Sequence, residues 1–162
     1  MGNIETDKKE TDKKENVLVS ACLLGLCCRY DGKEKKYDGM EEMKELCHLV
    51  PVCPEQLGGL KTPREPAEIH DGRVFTCSGD DVTAGYDKGA EEALKAAKFF
   101  ECRYALLKER SPSCGCGQVY DGAFAGRLTP GNGITAELLL KNGIEVMGES
   151  SISRLKEKLR KD

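Results

Sequence analysis

The sequence predicts an α/β fold, a Rossmann-like open and mainly parallel sheet with helices on both faces and inserted β-hairpins. Three observations predict it. Short apolar runs (Val17 to Ala21, Leu49 to Val52, Tyr104 to Leu107, Ile144 to Met147) alternate with segments of helical periodicity, as they do when helices cross between parallel strands. The first of these runs is apolar throughout, which suits a strand covered on both faces. Asp-Gly pairs at Asp71-Gly72 and Asp121-Gly122 interrupt alternating stretches and mark two hairpins, Ile69 to Thr76 and Gln118 to Gly126.

Taken in order, residues 5 to 15 repeat a five-residue charged unit with no apolar member, so residues 1–15 are expected to form a disordered tail and 16–162 a single α/β domain. Glu41 to His48 suits a brief helix before the second strand. Gly58, Gly59, Pro63 and Pro66 exclude regular structure beyond Glu55 and predict a loop to residue 67. From Asp81 the apolar positions Val82, Tyr86, Ala90, Ala93, Leu94, Ala97 and Phe100 recur at helical steps, with Asp80 or Asp81 as N-cap. Residues 129–133 read as a turn and Ile134 to Lys141 as a helix stopped by Asn142-Gly143. Ser151 to Arg160 reads as a terminal helix, and Glu137 is expected to face solvent.

The chain of 162 residues has a formal net charge of −3 and no long basic run, so it carries no strong signal for nucleic-acid binding. No apolar run approaches the roughly 20 residues of a membrane span, and the first residues lack the apolar core of a secretory signal. A cytoplasmic protein without a membrane association is expected. Nine cysteines, an odd number, then read as reduced thiols or metal ligands. Cys47, Cys77 and Cys102 are isolated and read as small buried hydrophobes.

Three cysteines stand apart from these. Cys22, Cys53 and Cys114 each follow an apolar strand and begin or sit in a loop. Parallel neighbours joined by right-handed crossovers would place all three at one sheet edge. They are too far apart in sequence for the local knuckles of a zinc ribbon. Three soft donors with an open fourth position suit an iron–sulfur cluster with one exposed iron. Glu55, two residues after Cys53, is placed to move a proton or to anchor its loop. Ser111 and Ser113 are placed to meet a substrate oxygen or to cap the turn. Arg29, Arg64, Lys108 and Arg110 come from loops of the same edge and suit a phosphate or a pyrimidine carbonyl, or surface ion pairs. The glycines at 58–59 and 131–133 are weak phosphate-loop candidates, with Gly133 opening a helix N-terminus to an anion. His48 and His70 have no partners at metal spacing and read as surface residues.

Several blocks resemble a known family. Ser20-Ala-Cys-Leu-Leu-Gly25 with Arg29-Tyr-Asp-Gly32, Pro51-Val-Cys-Pro-Glu55 with Gly58-Gly-Leu60 and Pro63-Arg64, Pro66-Ala-Glu-Ile69, and Leu107-Lys-Glu109 with Ser111-Pro-Ser-Cys-Gly115 and Tyr120-Asp-Gly122 are similar to the bacterial thiouracil desulfidase family. The resemblance spans about residues 16 to 149. It implies removal of sulfur from thiouracil or a thiolated uracil nucleoside or nucleotide, giving the uracil compound and sulfide without external electrons. It further implies a [4Fe-4S] cluster held by Cys22, Cys53 and Cys114, whose open iron acts as a Lewis acid on the thiocarbonyl sulfur. Glu55 would then transfer protons and Ser111 orient substrate or water, with Arg29, Tyr30, Asp31, Arg64, Lys108 and Ser113 around the substrate. The partner would be a small thiolated pyrimidine, and the protein a monomer or homodimer. Cys27, Cys28 and Cys116 exceed what the motif requires. A non-catalytic metal- or cluster-binding module and a structural zinc protein remain the alternatives.

Overall fold

The computed structural model describes residues 13–161, so most of the expected tail lies outside the described residues. The tail's expected end at residue 15 is corrected: Glu15 already belongs to the first strand, β1 (Glu15–Ser20), paired with Cys47. A 3-10 turn (Ala21–Leu24) follows, then α1 (Met40–Leu46), β2 (Cys47–Val52) and α2 (Pro54–Leu57). The hairpin β3 (Ala67–His70) and β4 (Arg73–Thr76) leads to α3 (Thr83–Phe99) and β5 (Tyr104–Leu107). A second hairpin, β6 (Gln118–Tyr120) and β7 (Leu128–Pro130), precedes α4 (Ile134–Lys141), β8 (Glu145–Gly148) and α5 (Ile152–Lys161).

The main sheet is four-stranded and parallel, in the order β2-β1-β5-β8. The chain therefore runs outward from β1 first to one side and then to the other, which makes the boundary of β1 and β5 the point where the winding reverses. Both faces are covered. Val17 and Val19 of β1, Tyr104 and Leu106 of β5 and Met147 of β8 pack with Met40 and Met43 of α1 and Ile152, Leu155 and Leu159 of α5. The intervening Leu18, Ala105, Leu107 and Val146 pack with Ala93 and Ala97 of α3 and Ala136 and Leu139 of α4. The period of two along each strand thus feeds two separate cores, which is why these strands are apolar without alternation.

Three local expectations are corrected. The helix expected to reach His48 ends at Leu46, because Cys47 and His48 pair with Glu15 and Asn16 in β2. Residues 54–57, expected as loop, form one helical turn, with Pro54 at the first position where its missing N–H is harmless. The second hairpin does not close at Asp121-Gly122: β7 begins at Leu128, and residues 121–127 form a longer loop between the strands. The first hairpin turns at Asp71-Gly72 as expected, both with positive φ. In α3 the Asp81 carboxylate accepts the Thr83 N–H at 3.0 Å, although Val82 occupies the cap position.

The close seating of α2 on α3 matters most for the site. A Cβ on Gly89 would lie 1.9 Å from the Pro54 carbonyl oxygen, and one on Gly58 would lie 1.9 Å from that of Gly85. Only glycine lets these two backbones meet. Their contact brings Glu55 of α2 against Tyr86 of α3.

Candidate active site

A cleft of about 530 Å³ opens at the C-terminal ends of β1, β2 and β5. Its lining includes Cys22 from the turn after β1, Cys53 from the end of β2 and Cys114 from the loop after β5. Open parallel sheets place ligands at this edge for a topological reason: the loops on either side of the reversal point diverge and leave a crevice.

Glu55 lies at the centre of a hydrogen-bond network. Its Oε1 accepts from Tyr86 Oη at 2.6 Å and from Arg64 Nε at 3.2 Å, and its Oε2 accepts from Ser113 Oγ at 3.1 Å. Ser113 is fully buried, and its Oγ stands 3.0 Å from that of Ser111. The Ser111 Oγ already accepts the N–H groups of Ser113 and Cys114, each at 3.1 Å. A hydroxyl has one proton to donate, so with Ser113 donating to Glu55 the remaining direction is Ser111 to Ser113. The order Ser111, Ser113, Glu55 is a continuous chain from the cleft lining to a carboxylate. Tyr86 is 2% exposed, and burial beside the Glu55 carboxyl pushes its phenol well above the usual range.

Arg64 lines the cleft, yet its guanidinium is committed to the protein. Besides Glu55 it donates to the Lys61 carbonyl, Thr62 Oγ1 and the Cys28 carbonyl, at 3.1, 3.0 and 2.9 Å. It therefore braces the 54–67 loop instead of offering a free fork. Lys108 is likewise paired, with Glu149 Oε1 at 2.8 Å. Arg29 lies over the Tyr30 ring, 5.6 Å from its centroid, and 3.7 Å from Asp31. Arg29, Tyr30 and Arg110 line the cleft together with Lys35. Two residues expected at the substrate are not in the lining: Asp31, which accepts the Lys33 N–H at 3.0 Å and shapes its own turn, and Ser113, which lies beneath it.

The remaining glycine and cysteine expectations divide. The α4 N-terminus behind Gly133 is closed to an anion, because its N–H groups at 134, 135 and 136 bond the carbonyls of Pro112 and Ser113. Cys47 and Cys102 are buried, whereas Cys77 is exposed. His48 and His70 are exposed, and Glu137 is half-buried, bonded to Asn132 Nδ2 at 2.8 Å. Cys27 is exposed and Cys116 half-buried, and neither lines the cleft. Cys28 does line it: the neighbouring Cys22 thiol and burial raise its thiol to about 11, against a lowering from Cys53, whose Sγ donates to the Cys28 carbonyl at 3.6 Å. The Cys28 thiol and burial push Cys53 up, and burial raises Cys114 to about 12.

Among the described residues no three His, Cys, Asp or Glu side chains are placed to hold one metal ion. A cluster asks for something different, since each thiolate binds its own iron and the donors stand around a larger body. The donor set fits such a group. Three thiols from separate strand ends line one cleft, and a bond to iron would take the place of a thiol's proton.

Sequence reasoning missed Tyr86, Glu68, Lys35, Tyr120 and Phe124, all of them in the lining. Tyr86 carried a faint signal: it is the one hydroxyl-bearing ring in the buried stripe of α3, and a buried phenol seeks an acceptor.

The fold and its thiol-lined cleft define an open α/β protein whose sheet edge presents sulfur donors next to a carboxylate hydrogen-bonded on both oxygens. The family model described as 2-thiouracil desulfurase matches residues 17–151, and the chain belongs to that family. It is similar to the uncharacterized protein YbbK of Bacillus subtilis (strain 168), 41% identical over 147 residues, spanning 85% of this chain and 97% of YbbK. Among solved structures it resembles the [4Fe-4S]-dependent thiouracil desulfidase TudS, with a TM-score of 0.87 and 44% identity, over 92% of this chain and all of the other.

Proposed function

We propose that this protein is an iron–sulfur-dependent thiouracil desulfidase, which converts a thiocarbonyl and water to a carbonyl and hydrogen sulfide. The observation that carries this reading is the convergence of Cys22, Cys53 and Cys114 on the cleft that also exposes the Glu55 and Ser111 chain. These three cysteines would hold a [4Fe-4S] cluster, leaving one iron without a protein ligand. When bound, the cluster supplies Lewis acidity toward the thiocarbonyl sulfur.

The rest of the work falls to the chain's own residues. Glu55 takes a proton from the attacking water and returns one to the departing sulfur, so the reaction consumes no electrons. Tyr86, Arg64 and Ser113 hold its carboxylate in place. Ser111 orients the water or the pyrimidine oxygen and passes its own proton toward Ser113. Arg29, Tyr30 and Lys108 border the pyrimidine, while Arg64 acts as a positioning residue through Glu55. Asp31 sets the angle of Arg29.

The substrate is a small thiolated pyrimidine, handled by a monomer or homodimer. No helix among the described residues is long and apolar enough to cross a membrane, and all nine cysteines are free, which supports a reducing, cytoplasmic setting.

The test is to reconstitute the protein anaerobically with iron and sulfide and to follow sulfide release from 2-thiouracil and 4-thiouridine phosphate. Stoichiometric release of sulfide and the oxygen compound is expected. A colourless zinc-loaded protein that releases none would make the structural-zinc alternative correct.

A further inference from the structure

The loop between β6 and β7 brings an aromatic ring into the cleft in a conformation its residue type resists. Phe124 lines the cleft, is 39% exposed and has φ of 54°, a left-handed backbone that a bulky side chain adopts only at a cost. The surroundings impose it. Glu68 Oε1 of β3 accepts both the Gly122 and the Phe124 N–H groups, at 3.1 and 3.2 Å. Asp121 accepts the Ala123 N–H at 3.0 Å and pairs with Arg127 Nε at 3.2 Å, closing the loop's base. A Cβ on Gly122 would lie 2.7 Å from the Ile69 carbonyl, so the loop is pressed onto the first hairpin.

No ring or cation contact engages Phe124 among the described residues, unlike the cleft's Tyr30, which has a guanidinium over its ring. Tyr86 is buried on Glu55. An apolar ring held under strain and left partly uncovered in the cleft, with no ring or cation stacked on it among the described residues, has a π face to offer a ligand. We propose that Phe124 is a specificity-determining residue, the stacking platform that selects a planar aromatic pyrimidine over a puckered or saturated thioamide, with Glu68 positioning it. The inference rests on the desulfidase reading for the identity of the ring, but the platform itself rests on the loop.

Uracil and 5,6-dihydrouracil present the same carbonyls and N–H groups, and only uracil is flat and aromatic. As competitive inhibitors of sulfide release from 2-thiouracil by the reconstituted wild type, uracil should bind about fivefold to a hundredfold more tightly, the range of one base–aromatic stack. Phe124→Ala should erase that preference and raise KM for 2-thiouracil by a similar factor at unchanged kcat, and Phe124→Tyr should restore both. The chain contains no tryptophan, so Phe124→Trp installs a sole indole fluorophore on the platform. The emission of that variant should be quenched saturably by uracil and far less by dihydrouracil. Equal inhibition constants in wild type and Phe124→Ala, or an indole emission in the Phe124→Trp variant that uracil leaves unmoved, would overturn the proposal. If sulfide release fails altogether while the quenching by uracil holds, the desulfidase reading falls and the platform stands.

Discussion

Glu55 has both carboxylate oxygens engaged by donors from three different elements, so each donor can be removed separately. Glu55→Gln keeps the shape and loses the proton carrier. It is expected to lower kcat by about a hundredfold or more, the scale of general acid–base catalysis, while iron content stays at the wild-type level. Tyr86→Phe removes one hydrogen bond to that carboxylate and is expected to cost about tenfold in kcat and to shift the pH–rate profile, with KM unchanged. Steady-state sulfide release across pH, alongside iron analysis, separates the two. At this scale the sequence was readable where chemistry and chain proximity coincide: Glu55 was found because it follows Cys53. Tyr86 was not, because its role depends on α2 lying against α3, a contact between residues 31 positions apart.

That contact is itself a property of elements, set by Gly58, Gly85 and Gly89. Gly89→Ala puts a methyl carbon where the Pro54 carbonyl oxygen stands, so α2 has to lift away from α3. We expect a loss of about 1–3 kcal/mol in stability, the usual cost of overpacking, read as a lower Tm of the cluster-free protein, together with reduced kcat. A Tm and kcat both equal to wild type would show that α2 yields without moving Glu55. The elements of the main sheet were legible, since continuous apolar runs and helical periodicity survive tertiary context. The second hairpin was less so. Asp121-Gly122 looks like a two-residue turn, but Glu68 draws the Gly122 and Phe124 N–H groups toward β3, and the strand resumes only at Leu128. Likewise the glycines of 131–133 suggested an open helix N-terminus, and the carbonyls of Pro112 and Ser113 fill it.

On the scale of the molecule, two cores sandwich one sheet, and each contains a cysteine remote from the cleft. Burial raises both Cys47 and Cys102 to about 11. In the unfolded chain these thiols ionise near the ordinary cysteine value, so between roughly pH 8.5 and 11 the unfolded state binds fewer protons than the folded one. Stability is therefore fully present below that window and falls as pH rises through it, by up to about 1.4 kcal/mol per pH unit for each thiol. Urea titrations of wild type and of the Cys47→Ala, Cys102→Ala double variant at about pH 8 and about pH 10.5, on either side of the ordinary thiol range, check this, with the variant losing less between the two. The same global view explains why the site was legible at all. A parallel sheet brings the C-terminal ends of its strands to one edge whatever the sequence between them, so three strand-terminal cysteines implied a common cleft. The place of Cys28 was less legible, because it joins Cys22 and Cys53 in the cleft lining only through the fold of its loop.

Whether Cys22, Cys53 and Cys114 hold the proposed cluster is read most directly from the iron content and visible absorption of single Cys→Ala variants reconstituted anaerobically. Cys22→Ala, Cys53→Ala and Cys114→Ala should each lose the cluster absorption and sulfide release together, while Cys27→Ala, Cys28→Ala and Cys116→Ala keep about four irons per chain. A Cys28→Ala protein that loses its iron, beside a Cys114→Ala protein that retains it, would exclude Cys114 as a ligand and put Cys28 in its place.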